Sequence, residues 1–171
     1  GVVVVILDKC LGSKTWDVGA VCNGILGGLV SITAGCSVTY PWAAALIGFL
    51  GGFVYFGSSK MVLKLLKVDD PLDAFAVHGA CGFWGVLGVG LFAAGDYAYA
   101  SGPGLFYGSG NCIAAAFVCL MAEIAWVSGM SFLMFFPLKK IGILRVSAEI
   151  EAAGMDVSKH GGAAYETGAS A

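Results

Sequence analysis

Three carboxylates and an imidazole, Asp69, Asp70, Asp73 and His78, fall within one short stretch, DDPLDAFAVHGACGFWGVLGVGLFAA over 69–94. Carboxylates at such spacing hold cations, exchange protons or cap a helix, and an imidazole offers a donor and an acceptor on one ring. The surroundings narrow the chemistry. From Ala74 to Gly95, 22 residues pass without an Asp, Glu, Lys or Arg, enough to cross a bilayer as a helix. An ionisable side chain at membrane depth is costly, so His78 marks a candidate functional site. The second histidine, His160, lies in a polar tail.

The helix that must carry His78 has a legible start. Asp70 is placed to be the N-cap, Pro71 fits the first helical position, and Asp73 falls in the first turn, where the helix dipole favours negative charge. His78 then lies about one and a half turns inside. At helical spacing its face holds Ala74, Phe75, Cys81, Gly82 and Gly85, mostly small side chains that leave an open lane beside the imidazole.

Composition sets the class. The chain is 58% hydrophobic and only 12% charged, with a mean hydropathy of +0.88. Soluble domains carry about 25% charged residues, so this reads as an all-α, polytopic transmembrane helix bundle. Six cysteines, at 10, 22, 36, 81, 112 and 119, show no CxxC pairing and are expected as small buried hydrophobes. No cofactor, metal or nucleic-acid partner is expected.

Charge and glycine divide the chain. Residues 1–7 read as the end of a helix, and the 42 uncharged residues from Val18 to Ser59 suit two spans, with GCSVTYP as the break. The expected bundle covers 1–138, with spans at about 1–7 (partial), 17–35, 41–59, 73–95 and 112–137, and a polar tail at 139–171. The last span is interrupted by Glu123, read as pairing with a neighbouring helix or with a serine or asparagine in preference to a proton-relay role. Asn23, Ser31 and Thr33 are expected to hydrogen-bond between helices, and Trp84 to pack. With this topology, Lys9 and Lys14, then Lys60, Lys64 and Lys67, then the tail bases all fall on one side. By the positive-inside rule that side is the cytoplasm, so the C-terminus and the start of the His78 helix face it. Gly24 and Gly28, Gly48 and Gly52, and the series Gly82, Gly85, Gly88 suit close helix packing.

DDPLDAFAVHGACGFWG closely resembles the ammonium transporter family segment in which Asp-Asp-Pro, an Asp three residues on and a His-Gly pair open a late span. VCNGILGGLVSITAGCSVTYPWAA and the tail LRVSAEIEAAGMDVSKHGGAAYE resemble the same family, eukaryotic members above all. The resemblance implies the C-terminal part of an eleven-span fold, from the end of span seven through span eleven. It further implies a multi-pass plasma-membrane protein, a homotrimer with one narrow apolar pore per subunit, and ammonium or ammonia as the species carried. His78 would be one of two facing pore histidines, with Ala74 beside it on the substrate path. Asp70 and Asp73 would sit at the cytoplasmic vestibule or cap the helix. Ser158 stands in GMDVSKHGG where plant relatives carry a threonine whose phosphorylation is associated with pore closure, which brings in a kinase as partner.

Other classes fit less well. A sensor of the same fold would signal through its cytosolic tail. A membrane enzyme or redox protein would want paired axial histidines or clustered cysteines, and the sequence holds neither. For the aspartates, plain capping and solvation explain the positions as readily as a vestibule does. His160 reads most simply as a surface residue, and Ser158 without the family as an inert one.

Overall fold

The computed structural model describes residues 1–12, 16–97, 100 and 102–162, with the side chains at 157 and 158 outside that description. Among the described residues the structure is helical, in two compact units, 1–122 and 123–171.

In the first unit, α1 (Val2–Leu11), α2 (Val18–Thr33), α3 (Pro41–Lys60) and α4 (Cys81–Phe92) pack together. Each start has a local cause. The Asp17 carboxylate accepts from Gly19 N at 2.7 Å and Ala20 N at 3.4 Å, capping α2. Pro41 opens α3, where its missing N–H is not needed. α2 stops where Gly35 N bonds to Ile32 O and the Thr39 hydroxyl and amide both turn back to Gly35 O. Its 16 residues reach about 24 Å at 1.5 Å each.

Glycines then set the spacing. A Cβ on Gly24 would lie 2.7 Å from Val4 Cβ, and one on Gly52 would lie 2.9 Å from Val3 Cβ, so the valines of α1 sit in glycine grooves of α2 and α3. Gly28 and Gly48 face one another, and Gly51 leaves room for the buried Ser31. Gly85 brings α4 so close to α2 that a Cβ would lie 2.7 Å from Ser31 O. Gly85→Ala is therefore expected to destabilise by about 1–3 kcal/mol, because backbone cannot step aside as a side chain can. Gly57 meets nothing within 4 Å, so Gly57→Ala should be neutral or gain helix propensity. Thermal unfolding in detergent checks the pair; equal midpoints would refute the packing argument.

Three helical stretches are long and apolar enough to cross a membrane: Pro41–Leu66, where α3 continues through a π-helical end, Phe75–Phe92, and α5 (Asn111–Lys140). α2 is apolar but shorter. Within the first unit, the start of α5 meets α4 at Gly90, where a Cβ would lie 2.7 Å from Ile113 Cα. At the loop end Tyr40 gathers Tyr97 and Tyr107, and its hydroxyl donates to Asp96. That hydrogen bond pushes the Tyr40 phenol up to about 12. Tyr99 lies outside the described residues.

The second unit holds the rest of α5, with Phe132 stacked on Phe136 and Lys140 over the Phe136 ring, then α6 (Ala148–Ala153) and α7 (Met155–Lys159). Ser147 caps α6, and Arg145 pairs with Glu151 at 3.1 Å.

Several expectations need correcting. Of the six cysteines, Cys81 alone is fully buried; Cys10, Cys22, Cys36 and Cys119 are exposed. Ser31 and Thr33 bond to Gly27 O and Val30 O of their own helix, since a hydroxyl there reaches the preceding turn more easily than a neighbour. Asn23 donates to Leu72 O, in the turn ahead of the His78 helix, at 3.4 Å. Trp84 packs and donates from Nε1 to Ile47 O at 3.0 Å.

Candidate functional site

His78 lies in a π-helical segment, Phe75–Ala80, that leads directly into α4. Such widened turns inside helices occur often at functional sites. The segment has two faces. Ala76 and Val77 are buried in a cluster with Val4, Tyr55 and Cys81. Ala74, Phe75, His78 and Gly79 are exposed on the first unit's surface. The imidazole has no hydrogen-bond partner among the described residues, so both ring nitrogens are available.

The lane beside it differs from the expected one. Cys81 and Gly85 are not in it: Cys81 is fully buried with Sγ 3.7 Å from Gly51 O, and Gly85 is pressed against α2. The cause is the wider turn, which rotates residues beyond Ala80 relative to a regular helix. Of the expected neighbours Ala74 and Phe75 are exposed and Gly82 is half-buried, and Gly79, not among them, is exposed next to the imidazole.

The helix also begins later than Asp70 and Pro71 imply. Pro71 and Leu72 form a turn closed by Asp73 N donating to Asp70 O at 3.1 Å, and helix starts at Ala74. Asp70 still caps it, from further back. Its two carboxylate oxygens accept from Ala74 N at 2.9 Å and Phe75 N at 2.8 Å. These are two of the amides that a helix start leaves unpaired. Asp73 is not in the first turn but at the N-cap, in the left-handed region with φ 55°, and its carbonyl accepts from Val77 N at 2.8 Å. Aspartate is among the few side chains that adopt this conformation readily.

The Asp73 side chain points back to α3. Oδ2 accepts from Tyr55 Oη at 2.7 Å and Oδ1 from Ser59 Oγ at 2.8 Å. The reading of the sequence missed both donors. The available signal was their spacing, since hydroxyls at 55 and 59 share one face near the end of an otherwise apolar helix.

Beside this clamp is a polar cavity of about 240 Å³, with Asp8, Asp17, Asn23, Lys60 and Asp73 in its lining. Lys60 Nζ lies 3.8 Å from Asp8 across it. Glu123 is exposed on α5, and His160 is exposed at the end of α7. Ser158 belongs to α7 by its backbone, while its side chain lies outside the described residues.

Comparison with known proteins extends these observations. Residues 1–165 match the model of the Ammonium Transporter Family. Ammonium transporter 1 member 1 of Oryza sativa subsp. japonica is 46% identical over 166 residues, which is 94% of this chain and 33% of the relative. This chain thus spans about a third of the length of such relatives. A solved structure named Sensor Amt Protein superposes with a TM-score of 0.79 at 33% identity, covering 92% of this chain and 38% of the other. Saccharomyces cerevisiae Mep2 superposes with a TM-score of 0.77 at 25% identity, covering 86% of this chain and 34% of Mep2.

Proposed function

This chain belongs to the Ammonium Transporter Family, and from that premise we propose that it forms part of a conduction path for ammonium or ammonia across a membrane. The observation that carries the reading is His78, an imidazole with both nitrogens available, set in an apolar helix beside Ala74 and Gly79.

The chemistry follows from the solute. Ammonium matches potassium in charge but can give up a proton. A dry path excludes hydrated metal ions, whose desolvation is not repaid there. An imidazole can accept from ammonium or donate to ammonia, and with a second imidazole could relay the proton without a full charge crossing the apolar wall. That second histidine belongs to the remaining length of the family fold. Asp70 and Asp73 stand at the cytoplasmic mouth, where negative charge favours reprotonation of emerging ammonia.

The rest of the proposal concerns assembly. Residues 1–138 form the membrane part, 139–171 a cytoplasmic tail, and the protein works as a homotrimer in the plasma membrane. Ser158 is the point at which a kinase closes the pore.

The test is an ammonium gradient across vesicles holding the full-length protein, read by a pH dye inside. Internal pH should change faster than in empty vesicles, and an equal potassium gradient should have no such effect. Rates equal to those of empty vesicles would overturn conduction. That outcome would favour a sensor of the same fold, a second reading supported by the likeness to Sensor Amt Protein.

A further inference from the structure

The turn that carries His78 is held from another helix. Asp73 N–H and its carbonyl join the 70–73 turn to the first turn of the helix, and its carboxylate receives one hydroxyl on each oxygen, from Tyr55 and Ser59 of α3. A carboxylate bonded on both oxygens cannot rotate freely. Asp70 fixes the next two amides in the same way. Further on, α4 is anchored independently, by Gly85 against Ser31 O and by Trp84 Nε1 on Ile47 O. Between the two anchors the chain carries the extra backbone of the π-helical turn, and His78 sits within it.

We propose that Tyr55 and Ser59 are positioning residues for His78: by holding the Asp73 carboxylate they keep the left-handed N-cap and the π-helical turn, which sets the face on which the imidazole appears. The inference rests on the reading of His78 as part of the conduction path. Its physical content is a choice between two registers. The stretch Asp70-Pro71 by itself favours a regular helix starting at Pro71. That start would bring Asp73 into right-handed backbone and remove the slack that the wide turn stores. With α4 fixed, one residue of slack corresponds to about 100° of rotation at 3.6 residues per turn. His78 would leave the exposed face and approach the side now held by Ala76 and Val77. Two hydroxyls on α3 therefore select the register that local sequence does not.

The experiment uses the full-length protein in vesicles, with two readouts: hydrogen exchange of the amides at 74–80, and the ratio of ammonium to potassium flux. The Tyr55→Phe, Ser59→Ala double variant should speed exchange across 74–80 and lower the flux ratio by up to about 100-fold, the scale of loss that a reacting group displaced by about 1 Å produces. Ser59→Thr, which keeps the hydroxyl, should stay near the native protein in both readouts, and Tyr55→Phe alone should fall between. Native exchange and a native flux ratio in the double variant would overturn the proposal. A Ser59→Thr variant as impaired as the double variant would also overturn it, because packing rather than the hydrogen bond would then be the cause. Faster exchange with an unchanged flux ratio would uphold the clamp and instead refute the place of His78 on the conduction path.

Discussion

Replacing His78 by alanine in the full-length protein is expected to lower ammonium flux about ten- to hundredfold, or to abolish discrimination against potassium, while insertion into the membrane is unchanged. An ammonium ion in a dry path keeps only the acceptors that the wall provides. A hydrogen bond to a charged group contributes roughly 1.5–3 kcal/mol, and about 1.4 kcal/mol corresponds to a factor of ten. Folding of this part of the chain should be little affected, because His78 packs into neither buried cluster of the first unit and bonds to none of the described residues. His78→Gln, which keeps a donor and an acceptor but cannot relay a proton through a ring, separates the two roles. Loss in both variants points to proton relay, whereas rescue by glutamine points to solvation of the ion. Unchanged flux and selectivity in His78→Ala vesicles would sink the assignment.

The helical class could be read from long uncharged runs, because in lipid a run of that length satisfies its backbone N–H and C=O groups by the hydrogen bonds within a helix. His78 could be read for a related reason, as one polar ring in an apolar run. The register around it could not. Asp70 and Pro71 form a strong local start signal, yet helix begins at Ala74, because the hydroxyls of Tyr55 and Ser59 take hold of Asp73 from 18 and 14 residues away in sequence. Local propensity is a weak prior against two tertiary hydrogen bonds and a buried Ala76–Val77 pair. The displaced roles of Cys81 and Gly85 follow from the same event. One wide turn moved both from the expected lane to the packed face. Ser31 shows a different limit: a serine on a glycine-rich helix face satisfies itself one turn back, at Gly27 O, and its value to packing lies in its small size.

The second large effect concerns Ser158, where the Ser158→Asp substitution is expected to reduce flux by more than the fraction of modified subunits in a mixed trimer. In the second unit α7 is only five residues long, Met155–Lys159, with Gly154 at its N-cap at φ 85°. Asp156 lies in its first turn, where the helix dipole favours negative charge, and Lys159 in its last, where positive charge is favoured. A phosphate at 158 brings about −1.5 to −2 charge to the unfavourable end, beside Lys159 and two residues from Asp156. So short a helix has little to resist with, since isolated helices below about 12 residues are marginal in water. The expected consequence is that α7 loses its form or re-pairs with lysine, and whatever contact the tail makes in the closed or open protein changes with it. Because the proposed trimer sets each tail beside another subunit, one modified tail acts on more than its own path. Mixed trimers of native and Ser158→Asp subunits, reconstituted at known ratios, give the measurement. A flux that falls in strict proportion to the modified fraction would confine the effect to single subunits. Full activity with every subunit substituted would refute regulation through Ser158.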